Sequence, residues 1–339
     1  MSLNLTTSEE NRRRDIVEQS VNRKDTTELL SYDDFTVKDN LFGVNQYFTE
    51  AHHFFHFIDI IIKELMSNHS FIFRGVGRAS YRLFNKAQRN FMANPINDGK
   101  NEAIYHSSVL EMLEKAKALE QNVLSDYFNS FGVKENDVAI LSFLQHYGAP
   151  TPLLDWTYDI YVAIFFAIND LEKVEYEMTY SKDEKIVEDF FSIYWMREDM
   201  PQYMMNDYKK LSIYSRDKAT YQTLKRRKVA HISEIYKNGK PKLFLQNNLR
   251  ILKQKGIFIY NNSSHLPLEE VFFTHSFMYY LVRSPQDDLV CRSPIFCMNV
   301  HKSLAPVIKK EITKKGYNKV SMLLDAKRLA LLAVPKNLH

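Results

Sequence analysis

One short segment constrains the fold of this chain more than any other. In residues 149–170, two prolines exclude a helix at the start, and the Leu-Leu-Asp-Trp run that follows is typical of a brief buried strand. Thr157 or Asp159 can cap the next helix, whose Val-Ala-Ile-Phe-Phe-Ala stretch is wholly apolar. A helix without a polar face has to be buried. The segment therefore predicts a strand, a polar turn and a buried helix inside a sizeable core.

A second strand is predicted at Phe71–Arg74, where an apolar run ends in an arginine followed by two glycines. Apolar residues at helical spacing begin near Asn45 and precede this strand, and a longer helical pattern follows from about Glu102 to Phe131. A further helix is expected at 137–148, with Asp137 as its cap and Gly148 at its end. Helices therefore surround both predicted strands.

The whole pattern predicts an α+β fold, in which a mixed or antiparallel sheet is packed with helices. Apolar alternation predicts later strands at 242–246, 256–260 and 270–281. Helical spacing predicts one last helix at 303–317. Residues 1–44 are polar and are predicted to be a loose arm. The domain is expected over 45–335, with core motifs at 71–170 and 243–330 and a polar insertion at about 172–242. One strand is predicted inside the insertion, at 192–196.

Charge and thiol content limit the classes of function. The chain has 45 Lys and Arg against 41 Asp and Glu, a balance too even to form a nucleic-acid footprint by itself. Cys291 and Cys297 are interpreted as core thiols of a reducing compartment, although a disulfide between them stays an alternative. The start lacks the apolar run of a signal peptide, and no apolar stretch approaches the roughly 20 residues of a membrane crossing. These features predict a cytoplasmic protein.

Arg74 is the first candidate for a functional side chain. It ends a predicted strand beside Gly75, where the backbone can approach a ligand, and a guanidinium can hold a phosphate or carboxylate with two hydrogen bonds. The alternative is a buried structural pair with Asp155 or Glu120. His146, after an apolar helix, can act as an acid, a base or a donor, or can be a half-buried structural histidine.

A second group of candidates lies at the predicted polar turn. Asp155, Trp156 and Thr157 place a carboxylate, an aromatic wall and a hydroxyl at a helix N-terminus, where anions are favoured. Capping and core packing are the alternative roles. Gln254 and Arg250 are candidates for a polar rim or for a solvated helix face.

No metal site is predicted. His52, His53 and His56 lie close in sequence, but acidic or thiol partners at ligand spacing are lacking apart from Glu50, so surface histidines are expected. The basic run 225–228 is interpreted as a solvated turn, with contact to nucleic acid or membrane as the alternative. The motifs of P-loop ATPases, serine hydrolases and zinc proteases are missing from the sequence.

Several separated motifs, in order, resemble the FRG family, which is named after its Phe-Arg-Gly element. They are Phe73-Arg74-Gly75, a helical Glu120, the Gln-His-Tyr-Gly turn at 145–148, the Leu-Leu-Asp-Trp-Thr segment at 153–157, and Gln254 with Gly256 and Phe258. The resemblance spans about Phe71 to Ala330. Two positions depart from the family pattern: Val76 stands where Gln is common and Pro152 where Arg is common. These two departures predict that a side-chain contact to a ligand, made elsewhere in the family, is missing in this chain.

The resemblance, compared further with ADP-ribosyltransferases, implies a nucleotide-binding cleft and activity on NAD. A strand with Thr157 that enters a helix with Ala163, Phe166 and Ala167 is similar in order to those enzymes. The implied catalytic set is Arg74, His146, Asp155 and Thr157, and the implied cofactor-binding set is Gly75, Trp156 and Gln254. NAD is implied as a substrate, and no resident cofactor is required. Gln254 stands where such enzymes use a Glu, for which Glu269 and Glu270 are distant substitutes.

Two other classes of function stay open. The same pocket can belong to a non-catalytic module that senses a nucleotide or a protein segment, in a setting of bacterial phage defence that the family resemblance makes plausible. A structural interaction protein that uses the Tyr- and Met-rich insertion is the third possibility. The expected partners are a nucleotide or NAD-like small molecule and a protein or nucleic-acid target. Binding to a membrane is not expected.

Overall fold

The computed structural model describes these residues: 30–67, 69–94, 101–118, 123–130, 136–169, 171, 185–206, 208–212, 220–233, 236–237, 240–241, 254–275, 280–283 and 289–323. Within them, no helix has both the length and the apolar character that a membrane crossing requires.

The strands, in chain order, are β1 (Asn45–Phe48), β2 (Phe71–Val76), β3 (Leu153–Thr157), β4 (Phe190–Arg197), β5 (Tyr208–Ser212), β6 (Val229–Ser233), β7 (Tyr236–Lys237), β8 (Lys240–Pro241), β9 (Gly256–Asn261), β10 (Tyr280–Arg283), β11 (Leu289–Arg292) and β12 (Phe296–His301). Eight of them form one mixed sheet in the order β1-β12-β4-β2-β3-β9-β6-β5. The outermost pair at each edge is parallel, and the inner pairs are antiparallel. The remaining strands form two small hairpins.

The α-helices of the described residues are α1 (Thr36–Leu41), α2 (Ala51–Ile60), α3 (Lys86–Ala93), α4 (Glu102–Ala118), α5 (Val123–Ser130), α6 (Asp137–His146), α7 (Ile160–Ile168), α8 (Met200–Met204), α9 (Tyr221–Leu224), α10 (Leu268–His275), α11 (Ala305–Lys314) and α12 (Lys319–Met322). A π-helical turn, Ile61–Leu65, extends α2, and short 3-10 turns at Val187–Asp189 and Lys302–Leu304 precede β4 and α11. The α+β class predicted from the sequence is confirmed.

The sheet is divided into two halves at its centre. β2 pairs with β4 along its whole length, and β3 does the same with β9. Between the halves, β2 and β3 are joined through one residue pair, Phe73 with Thr157. The expected adjacency of the two motif strands is confirmed, and the strands separate on either side of that pair.

Three hydrophobic clusters cover the two faces of this sheet. On one face, α2, α7 and α11 bury the half that contains β2, while α3 to α6 bury the half that contains β3. On the opposite face, which we call the reverse face, one cluster with α1 and α10 covers both halves. The first face therefore has a gap between two groups of helices, directly above the point where the sheet divides.

The predicted strand, turn and helix of the densest segment are present as β3 and α7. The cap of α7 is Asp159, whose carboxylate accepts a hydrogen bond from the Tyr161 amide. The helix is buried apart from Tyr161 and Phe166, as its composition predicts. One capping prediction differs: Asn136 and not Asp137 caps α6, while Gly148, with a φ of 85°, lies just beyond its end.

Three sequence predictions need correction. Residues 30–44, expected to belong to the loose arm 1–44, pack into the domain through α1 and buried aromatic residues such as Phe42. The polar insertion 172–242 contributes β4 to the centre of the sheet, because Phe190–Met196 is apolar or small on both faces. The alternation at 270–281 predicted a strand, yet its first part belongs to α10, where Glu269 and Glu270 begin the helix. The strand expected at 242–246 lies outside the described residues.

Candidate functional site

A cavity of about 400 Å³ lies where the two halves of the sheet separate. It is lined by Phe73, Arg74, Gly75, Gln145, His146, Asp155, Trp156, Thr157, Val162, Ala163, Phe166, Gln254, Gly256, Ile257, Phe258 and Leu323. Small-molecule pockets have volumes of roughly 300–1,000 Å³ and combine apolar walls with a few polar groups, so this cavity has the size and composition of a binding site.

Gly75 allows α7 to lie directly against β2 beside the cavity. A Cβ at this position would be 1.9 Å from the carbonyl oxygen of Ala163, which is far closer than atoms can approach. The helix that forms one wall of the cavity therefore rests on the backbone of the Phe-Arg-Gly strand. The glycine acts in packing, and it brings the helix to the edge of the cavity.

Arg74 spans the gap between the separated strands. Its Nη1 donates a hydrogen bond of 2.5 Å to the main-chain oxygen of Asp155, while its Nε is buried and has no partner among the described residues. Burial lowers the pKa of this guanidinium, and the neighbouring Asp155 carboxylate opposes that effect. An arginine stays charged in a protein, so the site holds a partly desolvated cation with donors to spare.

Trp156 presents a second buried donor beside the first. Continuing the register from Phe73 and Thr157 places Trp156 opposite Arg74. The Trp156 side chain is buried, and its Nε1 has no hydrogen-bond partner within the described part of the chain. Trp195 Nε1, which does not line the cavity, is unpaired in the same way, so the indole donor alone does not mark a ligand site. What distinguishes the cavity is that this donor lies next to the Arg74 guanidinium.

Residues 69–175 match the FRG domain. The matched region covers about a third of the chain and includes β2, β3 and α7. No curated protein and no solved structure shows a significant match to this chain. Six of the seven predicted site residues lie inside the FRG match, and the seventh, Gln254, lies outside it.

The Asp155 carboxylate is the acidic group that lines the cavity. It is exposed, and its Oδ2 accepts a hydrogen bond of 3.1 Å from Gln145 Nε2. The Gln145 oxygen in turn accepts a hydrogen bond from the Thr151 hydroxyl, which fixes the orientation of the amide. The arginine forms no ion pair with this carboxylate in the structure, because it bonds to the main-chain oxygen of Asp155. The carboxylate is therefore oriented and accessible.

His146 lies in the last turn of α6, on the side of the cavity opposite to α7. Its ring is half-buried and contacts that of Tyr147, with 4.9 Å between the ring centroids. A second cation, Arg89 of α3, is near enough to lower the pKa of Arg74 and is itself influenced by Asp155. The surroundings of the cavity thus combine two arginines, one carboxylate and one imidazole.

Thr157 and Gln254 line the cavity but are engaged in structural hydrogen bonds. The Thr157 hydroxyl donates to the main-chain oxygen of Gln254 at 2.5 Å and accepts from the Asp159 amide at 3.0 Å. The Gln254 side chain donates to the main-chain oxygen of Met322 at 2.8 Å. In this arrangement both groups stabilise the turns around the cavity.

The structure brings all seven predicted site residues to one cavity: Arg74, Gly75, His146, Asp155, Trp156, Thr157 and Gln254. Glu269 and Glu270, considered as distant substitutes for a catalytic acid, do not line it. Both are buried on the reverse face, where they contact Tyr32 and Arg82. Glu120 and Arg250 lie outside the described residues.

Three further side chains of the cavity wall were not among the predicted site residues: Gln145, Phe166 and Leu323. The Gln145 signal was present in the Gln-His-Tyr-Gly turn. Phe166 is 38% exposed on a helix that is otherwise almost buried, a property that an apolar sequence cannot reveal. Away from the cavity, Glu50, His52 and His53 place possible metal ligands within 4.8 Å of one another, but all three are exposed.

Proposed function

We propose that the cavity binds a nucleotide, with NAD as the leading case, and that Arg74 holds its phosphate. The observation that carries this proposal is the buried Nε of Arg74, which has no hydrogen-bond partner among the described residues. Within the same part of the chain, the guanidinium donates to a main-chain oxygen and is bonded to no carboxylate. Desolvation without an anionic partner is unfavourable for a cation, and a bound phosphate would offset it through paired hydrogen bonds. Trp156 Nε1 offers a further donor to the same ligand.

The catalytic form of the proposal is an ADP-ribosyltransferase-like reaction. The bond between the nicotinamide nitrogen and the ribose carbon breaks, nicotinamide leaves as a neutral molecule, and a nucleophile on the target bonds to that carbon. Asp155, an accessible carboxylate of the cavity, would stabilise the positive charge that develops on the sugar. His146 would accept the proton that the nucleophile releases.

A second candidate is a non-catalytic sensor of the same ligand, in the phage-defence setting that the FRG resemblance makes plausible. One observation favours it: Gln254, at the position where a transferase needs a carboxylate, has its side chain bonded to Met322. The Thr157 hydroxyl is likewise engaged, with Gln254 and Asp159. In a sensor, ligand binding would alter the protein without any turnover.

Ligand-induced stabilisation combined with a product assay separates these candidates. The melting temperature of the full chain is measured with increasing NAD, ADP-ribose or inorganic pyrophosphate, and nicotinamide release is measured in parallel. We expect NAD to raise the melting temperature of the wild type. At an NAD concentration of 100 times the Kd, the free energy of unfolding should rise by about 2.7 kcal/mol. Nicotinamide release supports the transferase, and stabilisation without release supports the sensor.

Arg74 variants test the residue on which the proposal depends. Arg74→Ala should abolish the NAD-induced shift, and Arg74→Lys should restore little of it, because an ammonium lacks the planar pair of donors. The matched control is Arg78→Ala, since Arg78 is exposed, stacks on Tyr81 and does not line the cavity. A wild type that none of the three ligands stabilises would refute the nucleotide proposal.

A further inference from the structure

Residues 317–323 form part of the wall of the cavity. Met322 is buried, and the next residue, Leu323, lines the cavity. At the beginning of the segment, the ring of Tyr317 contacts that of Tyr161 on α7, with 5.3 Å between the ring centroids. The segment therefore packs against α7 and reaches the cavity at Leu323, although it lies more than 140 residues further along the chain.

Two buried or half-buried side chains hold this segment in place. Gln254 Nε2 donates to the main-chain oxygen of Met322 at 2.8 Å. Asp159, the cap of α7, accepts hydrogen bonds of 2.9 Å from the Tyr317 hydroxyl and from Lys255 Nζ. The attachment thus joins the two ends of the segment to the turn after β3, at Asp159, and to the residues just before β9, at Gln254.

The backbone at 254–255 is itself arranged for this attachment. Lys255 has a φ of 45°, a region that residues other than glycine seldom occupy, so its conformation requires support from its surroundings. That support is present in the Lys255 ion pair with Asp159 and in the bond from the Thr157 hydroxyl to the Gln254 oxygen. The result points the Gln254 amide at residue 322.

We infer that Gln254 is a positioning residue, which forms the cavity by holding residues 317–323 against it and does not act on the ligand by direct contact. The inference rests on the proposed function in taking this cavity as the ligand site. Gln254 begins the family element that continues with Gly256 and Phe258. The inferred role of Gln254 differs from the role that the comparison with ADP-ribosyltransferases implies, since those enzymes carry a catalytic carboxylate at this position.

The first test measures the attachment without any ligand. Amide hydrogen exchange of the peptide that covers 317–323 is compared between the wild type and Gln254→Ala. Loss of one net hydrogen bond should raise the local opening equilibrium, and hence the exchange, roughly fivefold. Gln202→Ala is the matched control, because Gln202 is an exposed glutamine away from the cavity. Unchanged exchange in Gln254→Ala would overturn the inference.

A conservative variant distinguishes positioning from catalysis. Gln254→Glu keeps the shape of the side chain, but its carboxylate cannot donate to the Met322 oxygen near neutral pH. The chain has two tryptophans, Trp156 and Trp195, so in a Trp195→Phe background acrylamide quenching reports on Trp156 in the cavity wall. We expect quenching of Gln254→Glu to exceed that of wild type at about pH 7.5 and to return toward it near pH 4.5, where the carboxyl becomes a donor.

Each outcome decides a different statement. Recovery of Gln254→Glu at low pH, with no recovery of Gln254→Ala, supports a hydrogen-bond donor role at position 254. A Gln254→Glu variant that keeps the wild-type exchange and gains nicotinamide release would place the side chain on the ligand and overturn the inference. Failure of NAD to stabilise the wild type would refute the proposed function alone, because the exchange and quenching measurements contain no ligand.

Discussion

The reverse-face core and the cavity treat buried cations in different ways. On the reverse face, Lys38 is completely buried, and its ammonium donates to four acceptors. Also on that face, Arg82 Nη2 lies 3.0 Å from Glu270 Oε1, and Glu269 accepts from the Tyr32 hydroxyl. At the cavity, the Arg74 guanidinium donates to the main-chain oxygen of Asp155 and is bonded to no carboxylate among the described residues.

This difference separates scaffold from site. Buried charges whose hydrogen-bond partners lie within the chain fix the packing of the elements that carry them. Here they hold residues 30–42 and α10 against the reverse face of the sheet. A buried cation without an anionic partner is unfavourable in the free protein, and at the cavity a bound anion would supply that partner. The comparison predicts that removing reverse-face charges lowers stability, whereas removing cavity donors lowers binding.

The largest effect is expected for Arg82→Met. The side chains of Arg82 and Glu270 are only 5% and 2% exposed, so the variant leaves a carboxylate buried without its cation. Breaking a buried ion pair in this way costs about 3–5 kcal/mol. Urea unfolding followed by fluorescence measures the loss of the free energy of unfolding. A loss below about 1 kcal/mol would remove the distinction between the reverse-face core and the cavity.

Gly75→Ala should have the next largest effect, because it forces α7 away from β2. The added Cβ would meet the Ala163 oxygen, a backbone atom that can move only with its helix. Overpacking of this kind costs about 1–3 kcal/mol. Gly77→Ala is the matched control, since its Cβ would lie at an ordinary 3.5 Å from the Ala167 oxygen. Equal melting temperatures of the two variants would contradict the close packing of α7.

The sequence predicted local elements better than it predicted their arrangement. β2, β3 and α7 follow from apolar runs bounded by glycine, proline and a capping Asp159, all of which are local signals. The central position of β4 could not be predicted, because its neighbours β12 and β2 are distant in the chain and pairing depends on tertiary contacts.

The site residues were predictable as residue types, but their roles were not. Arg74 and Asp155 were selected as chemical groups at strand ends, and the structure places both at the cavity. The sequence does not show that the arginine bonds to a main-chain oxygen, nor that Gln254 is directed at Met322. Those facts depend on the separation of two strands and on a segment from the end of the described chain.

His231 gives a smaller effect and tests a neutral group of the reverse-face core, because its buried ring has no hydrogen bond among the described residues. Its ring is buried, and burial lowers its pKa to about 3, with Lys210 adding to the effect. The unfolded chain binds a proton below about pH 6.5 and the folded chain does not, so stability falls as the pH drops from about 6.5 toward 3.

His231→Phe should remove that part of the acid sensitivity. Its free energy of unfolding should match that of the wild type near pH 7.5 and exceed it by about 1 kcal/mol at pH 5.5, since one pH unit of displacement is worth about 1.4 kcal/mol. Urea unfolding at both pH values measures the difference. His69→Phe, at an exposed position, is the control. Parallel pH profiles of wild type and His231→Phe would show that the ring is protonated in the folded protein.

The smallest effect on stability is expected for Arg74→Met, the counterpart of Arg82→Met. The change removes one hydrogen bond to the Asp155 oxygen, a loss of about 1 kcal/mol, but it also removes a desolvated cation and its unpaired Nε. These contributions oppose each other, so the free energy of unfolding should change by less than about 1 kcal/mol. Urea unfolding of the two methionine variants under one condition provides the comparison. If Arg74→Met is as destabilising as Arg82→Met, the arginine belongs to the scaffold and the cavity loses its ligand-binding cation. If it unfolds like the wild type while losing the NAD-induced shift, the two arginines differ as their hydrogen bonds indicate.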